Sequence, residues 1–268
     1  MTNDAATTLD SAQVRHIAQR LFDAQRAARP IRRLTAEHET MTLADAYAIQ
    51  RDLLRRRLAS DARLVGRKVG LTSKAAQQML KVGEPDFGCL LSDMSVPSSS
   101  RIRRDTLIAP KAEGEIAFVL KRELRGPGVT AAEVLAATEG VMACFEIVDS
   151  RIENWDIRLA DTVADNASSA LFVLGDWLVD PRALDLAMCG MVLERNGEVA
   201  LTGAGAAALG SPVNSVVWLA NRLAEFGEVL SAGDVVLTGS LAAMIPVQAG
   251  DHLRVSIGGI GSCTVSFD

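Results

Sequence analysis

Two glutamates separated by a single residue lie within an apolar, strand-like run, residues 108–120 (IAPKAEGEIAFVL). In a β-strand the side chains at i and i+2 point to the same face, roughly 7 Å apart along the chain. Glu113 and Glu115 therefore present two negative charges side by side, on a face that Ala117 and Val119 continue. Such a pair resists burial unless it is protonated, paired with a cation or bridged by a metal ion.

A third carboxylate, Glu146, lies in a second apolar run, residues 141–148 (VMACFEIV). Three carboxylates on strands offer the oxygen ligands that hard divalent ions such as Mg²⁺ or Mn²⁺ prefer. The pattern predicts a metal site made of Glu113, Glu115 and Glu146. The alternative is that these acids lie on edge strands and face water.

The composition indicates a globular enzyme. The 268 residues are 49% hydrophobic and 23% charged, which is ordinary for a globular protein with a sizeable core. This length fits one large domain, or one domain with a small appendage. A net charge of −5 and a pI near 5.4 argue against a nucleic-acid partner, because phosphate binding needs a positive surface.

The chain also carries signals of location. Its N-terminus lacks the basic start and apolar stretch of a signal peptide, and no apolar run approaches the roughly 18 residues that span a bilayer. The cysteines are scattered without a CxxC motif, which is typical of reduced thiols: Cys89, Cys144, Cys189 and Cys263. The sequence predicts a cytoplasmic protein without a membrane partner.

Hydrophobic periodicity divides the chain into a helical N-terminal segment, residues 1–62, and a mixed-sheet catalytic domain, residues 63–268. Capping patterns predict helices that begin after Thr42, Thr130 and Ser211. Strands are predicted over 64–70, 115–120, 141–148, 171–175, 189–194, 234–238, 252–257 and 262–267. Helices and strands alternate too irregularly for a doubly wound sheet, so an α+β fold is predicted.

Two further charged residues are candidates for chemistry. Lys68 lies in the strand-like stretch 64–70, and a lysine near a cation can carry protons because its surroundings readily move its pKa. The alternative is a surface lysine whose stem packs on the sheet. Asp86 lies in a turn-like loop, where an aspartate can equally cap the turn.

These residues belong to motifs that resemble one family. The motifs are KVGLTS (68–73), PDFG (85–88), AEGEIAF (112–118), FEIVDSR (145–151), DNASS (165–169) and DVVLTG (234–239). Together they resemble the 2-oxopent-4-enoate (2-hydroxypenta-2,4-dienoate) hydratases of the fumarylacetoacetate hydrolase superfamily. The resemblance covers the chain from about Leu43 to Phe267. It implies a mixed β-roll with a helical N-terminal part, assembled into homo-oligomers.

The resemblance also implies roles for individual residues. The three glutamates would bind Mg²⁺ or Mn²⁺, and Lys68 and Asp86 would be the acid–base groups. The substrate-binding residues would be Ser168, Leu90 and Thr238. The implied reaction is hydration of 2-hydroxypenta-2,4-dienoate to 4-hydroxy-2-oxopentanoate in the meta-cleavage degradation of aromatics, with a 4-oxalocrotonate decarboxylase as a further partner.

Other activities on the same scaffold remain open. One is 4-oxalocrotonate decarboxylase, and another is hydration of the dicarboxylate 2-oxohept-4-ene-1,7-dioate. Both need a cation for a second carboxylate. The segments expected to line the site, residues 85–88, 165–169 and 238–241, contribute no arginine or lysine, although Arg151 or Arg67 could reach in, so a small apolar tail is predicted. An acylpyruvate hydrolase would use a His–Glu pair, for which His38 and Glu39 are the candidates.

Overall fold

The computed structural model describes residues 7–268, except the side chain of Met79, as helices packed on two sheets. The helices are Ser11–Ala27 (α1), Leu34–Glu37 (α2), Leu43–Leu58 (α3), Lys74–Leu80 (α4), Ala131–Ala137 (α5), Leu159–Ala164 (α6) and Pro212–Ala224 (α7). The strands are Leu64–Gly70 (β1), Asp86–Leu91 (β2), Ser95–Pro97 (β3), Arg101–Ile102 (β4), Lys111–Leu120 (β5), Thr138–Val148 (β6), Ser169–Leu174 (β7), Gly190–Arg195 (β8), Glu198–Ala204 (β9), Val235–Leu237 (β10), Ile245–Pro246 (β11), His252–Ile257 (β12) and Gly261–Phe267 (β13).

The N-terminal helices pack onto the sheets through amphipathic faces. The predicted start of α3 is confirmed, because the Thr42 hydroxyl accepts from the Asp45 amide and the Asp45 carboxylate accepts from the Thr42 amide. Tyr47 of α3 stacks on Phe87 of β2, with ring centroids 4.8 Å apart. The helical segment therefore shares one core with the first sheet. Across residues 7–268, no helix has both the length and the apolarity to cross a membrane.

The first sheet holds the glutamate-bearing strands in its interior. Its strands lie in the order β2-β1-β10-β5-β6-β7-β3, and β11 also pairs with β5. Most neighbours are antiparallel, whereas β1 with β10 and β3 with β7 are parallel. Because β5 has partners on both edges, the edge-strand alternative for its glutamates is wrong.

The second sheet covers one face of the first. Its strands lie in the order β4-β13-β12-β8-β9. Gly114 of β5 faces this layer, and a Cβ atom there would lie 2.5 Å from Met191 Sδ and 2.9 Å from Val255 Cγ2. On the same face, Ile116 and Phe118 enter the main core. Alternation along β5 consequently turns Glu113 and Glu115 to the opposite face.

The predicted α+β, mixed β-roll class is confirmed, but several elements were not predicted. Asp86 begins β2 and does not lie in a turn, so that prediction is wrong. The strand was not predicted because residues 86–91 are all buried and lack the polar alternation that marks a half-buried strand. The short helices α4 and α6 have too few turns for a helical period to emerge. Strand β9 is mostly exposed and carries little apolar signal.

A buried ion pair braces the segment after α6. Arg151 Nε donates to Asp165 Oδ1 at 2.5 Å, and both side chains are at most 2% exposed. The guanidinium also donates to the carbonyl oxygens of Asp149 and Ser169, at 2.6 and 3.0 Å. The pair therefore ties the end of β6 to residues 165–169, which include Ser168.

Removing one partner of this ion pair should destabilise the folded protein. In Arg151→Met the Asp165 carboxylate stays buried without its cation, and we expect the free energy of unfolding to fall by about 3–5 kcal/mol. The matched control is Arg182→Met, which breaks the exposed Arg182–Asp180 pair and should leave the urea unfolding curve unchanged. Equal midpoints for the two variants would contradict the bracing role.

Candidate metal centre and acid–base site

Three carboxylates converge on the face of the first sheet that points away from the second sheet. Glu113 of β5 lies directly opposite Glu146 of β6 in the antiparallel register, and Glu115 follows on the same face. One carboxylate oxygen from each residue lies within 4.8 Å of the others. Glu115 and Glu146 are at most 1% exposed, so the water-facing alternative is wrong.

Within residues 7–268, three carboxylate oxygen atoms of this trio are buried without a hydrogen-bond donor. Glu115 Oε2 accepts from the Gly239 amide at 2.7 Å, whereas Glu115 Oε1 and both oxygens of Glu146 have no hydrogen-bond partner among the described residues. Burial and the neighbouring Glu146 raise the pKa of Glu113 to about 7, and the same causes raise the pKa of Glu115 well above its usual value. These causes all oppose ionisation of the carboxyl groups, and a hard divalent cation bound among their oxygens would stabilise the ionised form.

Lys68 provides the cation closest to the trio. Its side chain on β1 is 3% exposed, and its Nζ lies 3.3 Å from Glu146 Oε2. Burial lowers the pKa of this lysine, but the carboxylates of Glu146 and Asp86 outweigh burial and raise the pKa above its ordinary value. The surface-lysine alternative is therefore wrong, because Lys68 is a buried cation beside the carboxylates.

Asp86 lies next to Lys68, at the start of β2. The register pairs it with Gly70, where a Cβ atom would come within 2.2 Å of Asp86 Oδ1 and 3.4 Å of Lys68 Nζ. The absence of a side chain at Gly70 is what leaves room for the carboxylate. Burial raises the pKa of Asp86 to about 6, although Lys68 acts in the opposite direction. A carboxyl group with that pKa exchanges a proton readily near neutrality.

The site opens into a cavity of about 680 Å³. Lys68, Asp86, Glu113, Glu115 and Ser168 form one part of its wall. Apolar side chains form much of the rest, including Leu71, Ala75, Leu80, Ile157, Ala242 and Met244. A polar cluster at the wall of an apolar cavity of this size is typical of a small-molecule site.

Of the three predicted substrate-binding residues, one lines the cavity and two do not. Ser168 lines the cavity, with its Oγ 3.2 Å from the Thr162 hydroxyl. Thr238 does not line it, because its hydroxyl turns to the core and donates to the Ile116 carbonyl oxygen at 2.7 Å. Leu90 also lies outside the lining and is fully buried in a second apolar cluster, which includes Ala117 and Cys144 on the same sheet face as the trio.

The sequence did not predict two further cavity residues, Lys111 and Trp155. Lys111 precedes Glu113 by two positions, so alternation alone places it on the same face. Residues 85–88, 165–169 and 238–241 add no lysine or arginine to the wall, as expected, but Lys111 of β5 supplies a cation that the sequence analysis did not consider. Of the two arginines considered, Arg67 pairs with Glu228 and Arg151 with Asp165.

The candidates for a hydrolase pair lie elsewhere. His38 caps the C-terminal end of α2, and the exposed Glu39 follows it. Neither side chain is part of the cavity wall described by residues 7–268. The structure thus gives no support to a water-activating His–Glu pair at these positions.

Comparison with known proteins places this architecture in a family. The family model for the fumarylacetoacetate (FAA) hydrolase C-terminal region matches residues 56–267. The chain is 50% identical over 251 residues to a 2-hydroxyhexa-2,4-dienoate hydratase of Comamonas testosteroni, covering 93% of this chain and 95% of the relative. It is 52% identical over 220 residues to a 2-hydroxypent-2,4-dienoate hydratase of Pseudomonas putida, covering 82% and 99%.

A solved structure agrees with these sequence relatives. The 4-oxalocrotonate decarboxylase of Pseudomonas putida G7, complexed with magnesium and adipate, superposes with a TM-score of 0.96 at 40% identity. The match covers 98% of this chain and 100% of the decarboxylase. Together with the family match over most of the chain, these similarities show that the chain belongs to the fumarylacetoacetate hydrolase family.

Proposed function

We propose that this protein is a metal-dependent hydratase, which converts 2-hydroxypenta-2,4-dienoate (2-oxopent-4-enoate) to 4-hydroxy-2-oxopentanoate in meta-cleavage catabolism. The observation that carries the proposal is that the buried side chains of Lys68 and Asp86 lie beside three converging carboxylates, two of which line the same cavity. Hydratases of closely similar substrates are about 50% identical to this chain over most of its length, which supports the same reaction.

The residues that would hold the metal are Glu113, Glu115 and Glu146. Their oxygen-only donor set fits Mg²⁺ or Mn²⁺, as do the buried oxygens of Glu115 and Glu146 that accept no hydrogen bond from the described residues, and the magnesium in the related decarboxylase supports a divalent ion. When bound, such an ion acts as a Lewis acid toward the carboxylate and C2 oxygen of a 2-hydroxy or 2-oxo acid. The protein contributes the fixed positions of the three carboxylates on adjacent strands.

Proton transfers then fall to Lys68 and Asp86. Hydration requires the C2 hydroxyl proton to leave and a proton to reach C5, giving the 2-oxo-3-enoate. Water next adds through its oxygen to C4, and a proton is delivered to C3. Lys68 and Asp86 are buried side by side at the cavity wall, where they can hold and move these protons. Ser168 would orient the polar part of the substrate.

The second candidate is decarboxylation of 4-oxalocrotonate, or hydration of a longer dicarboxylate. One observation favours this class: Lys111 places a cation in the cavity wall, where a second carboxylate could bind. The close structural match to a decarboxylase agrees with it. Most of the remaining wall is apolar, and the two sequence relatives described above are hydratases of monocarboxylates, which favours hydration.

Product analysis tests the proposal. Incubation with Mg²⁺ and 2-hydroxypenta-2,4-dienoate should give a product heavier than the substrate by one water, identified by mass spectrometry as 4-hydroxy-2-oxopentanoate. Incubation with 2-oxo-3-hexenedioate should release no CO₂. If CO₂ is released and the dienoate is unchanged, the hydratase assignment is wrong and the decarboxylase takes its place.

Assembly and location complete the proposal. The family resemblance supports a homo-oligomer in the cytoplasm, with a 4-oxalocrotonate decarboxylase as a possible complex partner. Light scattering of the purified protein should give a mass that is a multiple of 28.5 kDa. A mass equal to one chain would overturn the homo-oligomer.

A further inference from the structure

Lys111 occupies a position in the cavity that the proposed reaction has not yet used. Its Nζ lies 4.1 Å from the centroid of the Trp155 ring, over the aromatic face. Among the described residues it forms no salt bridge, although Glu113 lies two positions away on the same strand face. A cation held on an aromatic face keeps its N–H donors available for an anion.

The segment that carries Trp155 is built to hold this ring. The Trp155 indole donates to the Ala109 carbonyl oxygen at 2.8 Å, which links the ring to the chain just before β5. Asn154 and Trp155 both have left-handed backbone angles, with φ of 58° and 55°. Such conformations cost free energy for residues other than glycine and persist where the surrounding structure enforces them, commonly at ligand sites.

The sheet register places the three glutamates between two lysines. Lys68 of β1 is level with Leu237 of β10, which in turn is level with Ala117 of β5. Lys111 lies at the other end of the same β5 face, two residues beyond Glu113. Successive positions on one face are roughly 7 Å apart, so Lys68 and Lys111 approach the carboxylates from opposite ends.

This order fixes the direction of a bound substrate. Lys68 and Asp86 must face the carbon atoms that receive protons, C3 and C5, so the tail lies on their side of the trio. The C1 carboxylate then points the other way, toward Lys111. We propose that the Lys111 ammonium, positioned by Trp155, binds the C1 carboxylate of 2-oxo acid substrates. This inference rests on the proposed function for the substrate class.

Binding of pyruvate tests the inference without turnover, because pyruvate carries the C1 carboxylate and C2 oxygen but no tail. In saturating Mg²⁺, Lys111→Met should weaken pyruvate binding measured by calorimetry about 10–100-fold, the range for losing a charged hydrogen bond. Affinity for the uncharged methyl pyruvate should change little. Lys111→Arg should retain most pyruvate affinity, because it retains the cation.

A matched control and a second ligand separate the outcomes. Lys121→Met removes an exposed lysine just beyond the end of β5 and should leave pyruvate binding unchanged. If Lys111→Met weakens adipate binding but leaves pyruvate binding intact, the lysine recognises a distal carboxylate and the C1 assignment is wrong. Unchanged binding of both ligands would also overturn it. Pyruvate affinity is measured whether or not the hydration product forms. Failure of the Lys111 inference can therefore be distinguished from failure of the hydratase proposal.

Discussion

Glu115→Gln is expected to leave the protein folded but without a functional metal site. The substitution keeps the shape of the side chain and an oxygen that can accept from the Gly239 amide. It removes one of three negative charges that converge within 4.8 Å. Loss of residues that merely support metal ligands typically costs 10–100-fold in metal affinity. We therefore expect Mg²⁺ affinity to fall by more than about 100-fold and turnover to be nearly abolished.

Calorimetric Mg²⁺ titration and steady-state kinetics measure these two effects. Glu139→Gln is the matched control, because Glu139 belongs to β6 but is exposed and pairs with Lys121 at the surface. The control should bind Mg²⁺ normally. Wild-type activity should also vanish in EDTA and return with Mg²⁺ or Mn²⁺. Full activity in the chelator would rule out a metal-dependent reaction.

Lys68→Ala is expected to lower kcat by about 10²–10⁴-fold, the usual contribution of a general acid–base group. Its effect should differ in kind from that of Glu115→Gln. The substitution removes a positive charge 3.3 Å from Glu146, so Mg²⁺ binding should be retained or become tighter. Kinetics at saturating Mg²⁺ and a Mg²⁺ titration together separate loss of proton transfer from loss of metal.

Two control measurements test this interpretation of Lys68→Ala. Lys121→Ala changes an exposed lysine and should leave kcat unchanged. Circular dichroism in Mg²⁺ shows whether Lys68→Ala is folded, since its removal leaves four acidic groups with one cation fewer. A folded variant with near-normal turnover would return Lys68 to a purely structural role, that of neutralising Glu146.

Much of the site was predictable because strand alternation is a strong local rule. Spacing alone placed Glu113 and Glu115 on one face, and apolar flanks indicated that Glu146 lay in a similar strand. The convergence of the three side chains depends on the register between β5 and β6, which pairs Glu113 with Glu146. Register is set by long-range packing, so the local pattern could not give this distance.

Two predicted substrate-binding residues, Leu90 and Thr238, lie outside the cavity wall because their positions depend on more than local sequence patterns. Leu90 shares a face with Asp86 on β2, but four residues carry it roughly 13 Å away from the cavity and into the second apolar cluster. Thr238 faces the main core, and it is the amide of the next residue, Gly239, that reaches Glu115. Backbone donors leave no trace in side-chain patterns, so this contact was not foreseeable.

The walls of the cavity are divided between two kinds of structure. The charged groups of the wall lie on β1, β2 and β5, whereas much of the apolar lining comes from α4 and from residues 240–246 outside the central strands. Ala75, Leu80 and Met244 can therefore be exchanged without moving a carboxylate. Substitutions in these segments can therefore change which substrate tail binds without changing the groups that carry out the reaction. We expect relatives with different substrates to differ first in these peripheral segments.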